Sequence, residues 1–455
     1  MVEDVGPVSD AGPCTPYGGR RRVRKDSYLR FLYGPCVAFG LLGLAGPALS
    51  ETSVPLTAGD TVMTGFSGTV LSAESLPPGV DPIDKTIIDV GGPALQILDL
   101  SAVGGPAAGQ IVAPPVKFSV PAKDIGQVFP LAFDNGVAGG PPNLYAGATS
   151  AYGLQIVDTA PDSNGKPVRL KAGAPGARFM EGQFGSLEGA TPGAIWKIDG
   201  TTGKASFLAD TAFSGVLNSG PGLGGLAFDP KSRTLYAADL DNGLIHRFAL
   251  DDNAADLGQF DHGVTGRPAR GLPPVADDGK RLEILSPDFK PSDIATWGFT
   301  QAERRVRAMA VHDGRLYYAV DDGPEIWSVD LNPDGGFASD VRSEFQVKGE
   351  KPLPFTDIAF DGAGNLIVAQ RGVQASPYDY GAFVEPGAAQ VLRYSPETPD
   401  DPATPGTWAP EPQSYAAGFS GESKSASGGV SLQYGYQRGF SSPTRRRATT
   451  VSRGR

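Results

Sequence analysis

A short pattern recurs four times along this chain and limits the folds open to it more than any other feature. The strings LAFD (131–134), LAFD (226–229), MAVH (309–312) and IAFD (358–361) are each followed by a turn and an apolar run. Those runs are NLYAGA (143–148), TLYAAD (234–239), RLYYAV (315–320) and NLIVAQ (365–370). A third run follows each: LQIV (154–157), IHRF (245–248), IWSV (326–329) and VLRY (391–394). An extra copy of the third run, IWKI (195–198), comes after FMEGQFG (179–185), which resembles LIVAQRG (366–372). The runs are short, β-branched or aromatic, and bounded by Gly, Asp, Asn and Pro, so they predict strands joined by turns. Three such strands and an outer one make a four-stranded blade. Repetition of that unit predicts an all-β protein, a β-propeller rather than a β-sandwich.

The first strands lie 95, 83 and 49 residues apart, and only the last spacing is near the usual blade period of roughly 40–50 residues. The long gaps predict insertions near 158–190 and 264–303; alternatively, the first gap holds two blades, with IWKI in the second. A further string, TGFSG (64–68), TAFSG (211–215) and AGFSG (417–421), follows candidate outer strands. Its presence near both ends predicts ring closure, with an N-terminal strand completing the last blade. Composition agrees with strands. Glycine (62) and proline (41) are too frequent for a helical protein, while 40 % hydrophobic residues suffice for a packed core.

The ends differ from the body. Arg20, Arg21, Arg22, Arg24, Lys25 and Arg30 precede the apolar stretch 31–50, which ends in Ala48-Leu49-Ser50. That is the layout of a secretory signal, and it predicts cleavage after about Ser50 and a secreted, periplasmic or cell-envelope location. The long hydrophilic lead suggests Met1 as a misassigned start. The stretch is interrupted by Gly and Pro, so no stable membrane span is expected after cleavage. Cys14 and Cys36 both fall in this segment, which leaves the mature chain no disulfide, zinc-thiolate site or cysteine nucleophile. Residues 438–455 carry six Arg and no acid, and are expected to be a disordered basic tail on a chain truncated or frame-shifted mid-blade. Residues 51–437, the expected propeller, hold 27 basic and 46 acidic groups, a net −19. Such a balance excludes a general nucleic-acid binder and suits attraction of cations.

The segments GLAFDPKSRTLYAADLDNGLIHRF (225–248) and DIAFDGAGNLIVAQRG (357–372) resemble blades of NHL-repeat and gluconolactonase-type propellers. The resemblance spans roughly residues 125–420 and implies six blades of four antiparallel strands. For the gluconolactonase type it also implies a divalent cation at the ring centre, held by a Glu, two Asn-type positions and an Asp. Asp239 occupies the Asp position and Asp357 could substitute at another, whereas Gly224–Gly225 stand where an Asn is expected and no N-terminal Glu-Gly-Pro is found. A calcium-type cation on Asp239 and Asp357 is therefore the metal expectation.

In a propeller, loops before first strands and loops after second strands emerge on one face. They carry Asp357, then Asp239, Asp241 and Asn242, then Asp321 and Asp322, then Gln370 and Arg371, with Gln183 equivalent to Gln370 if FMEGQFG is aligned with LIVAQRG. An acidic, amide-bearing funnel drawing a cation or a small polyhydroxy ligand is the site expected there. Other motifs carry less. DLNPDG (330–335) reads as a turn, since Val341 stands where a calcium loop needs Glu. Asp158, Asp162 and Asn164 read as the tip of an inserted hairpin. His246, His262 and His312 have no spaced metal partners. No Gly-x-Ser-x-Gly elbow, phosphate loop or dinucleotide fingerprint is present. The function expected is an exported module that binds a small polar ligand or a protein, the alternative a metal-dependent lactonase or related hydrolase. Arg371 alone is slight support for quinone-cofactor chemistry.

Overall fold

Eight antiparallel sheets make up the described chain, four of them four-stranded. The computed structural model describes residues 56–434 and 448–452, apart from 58, 73–75, 77, 102–112, 137–138, 161, 163–164, 251–253, 348–352, 373, 375–377, 381–382, 398–406, 410–411 and 418–423. The expected signal segment 1–50 and most of AGFSG lie outside the described residues. Strands β1 (Asp60–Thr64), β4 (Pro93–Asp99) and β5 (Val116–Pro121) form one sheet, and β2 (Thr69–Leu71) pairs β3 (Thr86–Ile88). The next four-stranded sheet joins β6 (Val128–Phe133), β7 (Leu144–Ala148), β11 (Ala194–Ile198) and β12 (Ala205–Asp210). Between β7 and β11 lies a small sheet of β8 (Ile156–Asp158), β9 (Arg169–Leu170) and β10 (Ala177–Phe179). Strands β13 (Leu223–Asp229), β14 (Thr234–Asp239), β15 (Leu244–Ala249) and β16 (Asp256–Asp261) run in simple up-and-down order. So do β17 (Val306–His312), β18 (Arg315–Val320), β19 (Glu325–Leu331) and β20 (Phe337–Gln346), and likewise β21 (Phe355–Phe360), β22 (Leu366–Gln370), β23 (Val391–Tyr394) and β24 (Gln413–Tyr415). Finally β25 (Val430–Tyr434) pairs β26 (Ala448–Ser452).

The repeated strings pair in one register. Leu131 faces Ala146, Leu226 faces Ala237, Met309 faces Tyr318 and Ile358 faces Val368. Each inner strand breaks register just before the repeat, between Val128 and Leu131, Leu223 and Leu226, Val306 and Ala308, and Phe355 and Asp357. Such bulges sharpen the twist of the strand that carries them. The second strands β7, β14, β18 and β22 are buried along their whole length. Packed by neighbouring sheets on both faces, they read as unbroken apolar runs rather than alternating ones. The outer strands β12, β16 and β20 are only partly buried. Inner strands pack in succession: β1 on β6, β6 on β13, β13 on β17, β17 on β21 and β21 on β25. This order of upright antiparallel sheets around a common interior is consistent with a β-propeller.

Three expectations need correction. The third strand of the first repeat is IWKI, not LQIV: Trp196 pairs with Ala146 and is fully buried. Both strings are good strand formers, and only the long-range pairing separates them; the intervening 45 residues, 149–193, are the insertion. FMEGQFG is accordingly no second strand, and Gln183 is not the counterpart of Gln370. The N-terminal strand Asp60–Thr64 does not complete the last sheet, because its partner is β4. Nor is the tail without structure throughout: Ala448–Ser452 (ATTVS) pairs with Val430–Tyr434, as its run of β-branched residues permits.

Candidate functional site

The inner strands surround a cavity of about 340 Å³, reached by Met63 and Thr64 of β1, Leu131 of β6, Leu226 of β13, Met309 of β17, Ile358 of β21 and Val430 of β25. A second cavity of about 180 Å³ lies toward the end from which β13 and β21 start and after which β7, β14 and β22 finish, being bordered by Leu223, Pro354, Thr149, Leu240 and Gly372. Phe129, Gly224, Thr356, Arg371 and Val384 line both cavities, so they form the waist between them. Gly224 and Gly225 sit there for a steric reason. A Cβ on Gly224 would lie 2.2 Å from the Val306 carbonyl oxygen, and one on Gly225 would lie 3.0 Å from the Met309 backbone nitrogen.

Arg371 is the only one of the expected site residues that borders both cavities. Its backbone N–H donates to the Pro354 carbonyl at 3.3 Å and its Nη2 donates to the Ala151 carbonyl at 2.9 Å. The guanidinium carbon stands 5.3 Å from the Phe129 ring centre and 5.2 Å from that of Tyr152, within range of the favourable ring quadrupole. Burial pulls its pKa down, against the opposing effect of Tyr152. Among the described residues no carboxylate makes an ion pair with it. Asp357 also borders the larger cavity; its Oδ2 accepts from the Val430 N–H at 2.8 Å and its Oδ1 from its neighbour Ile358 at 2.9 Å.

The other acidic positions do not form an open funnel. Asp239 is fully buried at the end of β14, accepting from Thr211 Oγ1 (2.7 Å), Asn218 Nδ2 (2.8 Å) and the N–H groups of Asp241 (2.7 Å) and Asn242 (3.3 Å). It lines neither cavity, and burial raises its pKa. Asp241 accepts from the Ser219 N–H and hydroxyl, with Arg281 at 3.5 Å, and burial with the adjacent Asp239 pushes its pKa up to about 6. Asn242 caps its own turn, accepting from Leu244 N–H at 2.8 Å. Asp321 is held by Arg305 and Arg307, and Asp322 by Arg267. Gln370 bonds Leu353 and Gln390, while Gln183 bonds Gly153 and Gln155 inside the insertion.

Asp239 and Asp357, the pair expected to hold calcium, take their hydrogen bonds from separate groups and only Asp357 borders a cavity; among the described residues no group of three or more His, Cys, Asp or Glu is arranged to hold a metal ion. Desolvation explains the outcome: a carboxylate drawn into a loop between packed sheets takes its hydrogen bonds from that loop. His246 meets Asp256 at 3.0 Å, His262 meets the Tyr318 hydroxyl at 3.1 Å, and His312 stacks on Phe360 at 4.1 Å.

Sequence reasoning missed Phe129, Tyr152 and Thr356. Phe129 and Thr356 lie within or beside the repeated first strands, so the propeller frame alone could have marked them as channel residues. Tyr152 comes from the insertion and carries no such signal. The acids at the opposite end are turn formers: Asp134 accepts from Gly136 and Asn143, and Asp361 from Ala363 and Asn365.

No protein-family model matches the chain, and no curated protein does. Among solved structures, it is similar to one from Bacteroides fragilis assigned as a 6-phosphogluconolactonase, at 11 % identity over 86 % of this chain and 94 % of that one, with a TM-score of 0.33. A gluconolactonase from Xanthomonas campestris matches at 15 % identity over 64 % and 66 %, TM-score 0.29. The nidogen/laminin complex matches at 14 % identity over 66 % and 84 %, TM-score 0.32. Likeness at these scores carries no argument about activity.

Proposed function

We propose that the protein is an exported six-bladed β-propeller that binds a small ligand in its central channel. The observation that supports this most is the waist at Arg371, where a half-buried cation stands between two cavities bordered by the inner strands. The larger cavity, about 340 Å³, falls at the small end of the usual range of ligand pockets, roughly 300–1,000 Å³. Export rests on the basic and apolar pattern of residues 20–50. Among the described residues no helix is long and apolar enough to cross a membrane. A metal-dependent lactonase would need acids meeting at the axis, and the dispersed environments of Asp239 and Asp357 give that reading no support.

Phe129→Trp tests the reading, since residue 129 borders both cavities and an indole there reports on what enters the channel. Titration with phenylacetate, phenylacetamide, D-gluconate and D-glucose should change its emission for at least one compound. Emission unaltered by all four would count against binding in the channel.

A further inference from the structure

We infer that the channel selects a small organic monocarboxylate, with Arg371 receiving the carboxylate and the larger cavity receiving an apolar or aromatic body; this rests on the channel-binding reading above. The first ground is the contrast between Arg371 and the other arginines around the same end of the molecule. Arg305 and Arg307 pair with Asp321, Arg267 with Asp322, Arg281 with Asp241 and Asp277, Arg304 with Asp261, and Arg270 with Glu325. Arg169 uses all three guanidinium nitrogens, on Gln155, Ile83 and Tyr378. Arg371 instead has Ala151 and the neighbouring Tyr152 as its side-chain hydrogen-bond partners. A half-buried guanidinium with no counter-charge among the described residues gains from any anion that reaches it through the cavities it borders. Its planar fork also matches a carboxylate in bidentate fashion.

The surroundings decide which anion. A single guanidinium supplies one unit of charge, whereas dianionic phosphate is normally met by several donors or a helix N-terminus. Asp357 borders the same cavity, and the body of the chain is strongly acidic, so a second negative charge on the ligand is disfavoured. Beyond the waist the wall combines apolar Met63, Leu226, Met309 and Phe383 with polar Thr64, Tyr152 and Ser427. Thioether and aromatic walls of this kind adapt to a flat or branched carbon skeleton.

The test uses the full chain carrying Phe129→Trp, titrated with phenylacetate, with its neutral isostere phenylacetamide and with inorganic phosphate. Phenylacetate should bind about ten- to a hundredfold more tightly than phenylacetamide, the worth of a hydrogen bond to a charged group. Adding Arg371→Met should remove that preference while circular dichroism stays unchanged, and Arg371→Lys should restore part of it. The preference of the parent protein should also vanish as phenylacetate is protonated below about pH 4. Equal binding of acid and amide by the parent protein would overturn the inference while leaving the channel reading in place. Tighter binding of phosphate than of phenylacetate would overturn it too. A reporter silent to phenylacetate, phenylacetamide and phosphate would overturn the inference, and silence to D-gluconate and D-glucose as well would remove the channel reading with it. Because the acid–amide comparison needs no substitution at Arg371, misfolding of Arg371→Met would not shelter the proposal.

Discussion

At the scale of single residues, Asp239 and Asp241 show how one loop of acids becomes structure instead of a binding surface. Asp239 has four hydrogen bonds and no exposure. Truncation would remove the acceptor of the Thr211 hydroxyl, of one Asn218 amide hydrogen and of two backbone N–H groups. Asp239→Ala is therefore expected to lower stability by about 3 kcal/mol or more, read from urea denaturation; a change below 1 kcal/mol would contradict the buried network. Asp241 makes a pH prediction. Its pKa is about 6 when folded against 3.8 as the reference, so the folded state holds the proton more tightly. Its contribution to stability is then greatest below about pH 4 and is lost as pH rises through about 6, by roughly 3 kcal/mol. Asp241→Asn should lack that loss: relative to the variant, the parent protein should weaken between pH 4 and 7. Parallel pH profiles for the two proteins would refute it.

At the scale of strands, the packing of inner strand on inner strand depends on missing side chains. Gly224 lies so close to Val306 that a Cβ would meet its carbonyl oxygen at 2.2 Å, and that oxygen belongs to backbone that cannot rotate away. Gly224→Ala should cost about 2–4 kcal/mol by forcing β13 from β17. Gly91→Ala is a fair control, because its Cβ would meet only the Asp89 carboxylate at 3.4 Å, and it should stay within about 0.5 kcal/mol. Comparable melting temperatures for the two variants would show that the approach of β13 to β17 can relax.

For the molecule as a whole, the decisive contacts join the end of the chain to β21. Asp357 accepts from Val430, Thr356 donates to the Gly428 carbonyl, and Ala426 donates to the Ala389 carbonyl. Together they set β25 against the inner strand beside the cavity. Asp357→Ala should cost about 1–3 kcal/mol and raise hydrogen exchange selectively at 424–434, leaving β13–β20 protected. Uniform acceleration across all sheets would instead mean that the contact of β25 with β21 is not a separate cooperative unit.

The sequence by itself determined the first and second strands of the four repeats and their order. LAFD against LYA and IAFD against LIVA are local patterns whose apolar runs and turns follow from burial on both faces and from turn chemistry. It also placed the loops before first strands and after second strands at one end, where Leu223, Pro354, Leu240 and Gly372 now border a single cavity. What it could not separate were alternatives of equal local quality. LQIV and IWKI both make good strands, and only the pairing of Trp196 with Ala146 selects one. Likewise Asp239 and Arg371 both follow second strands, yet one carboxylate is buried among donors and one guanidinium faces the channel. Burial and charge pairing depend on which distant segments meet, the insertion carrying Tyr152 above all, so the tertiary structure alone decided the site.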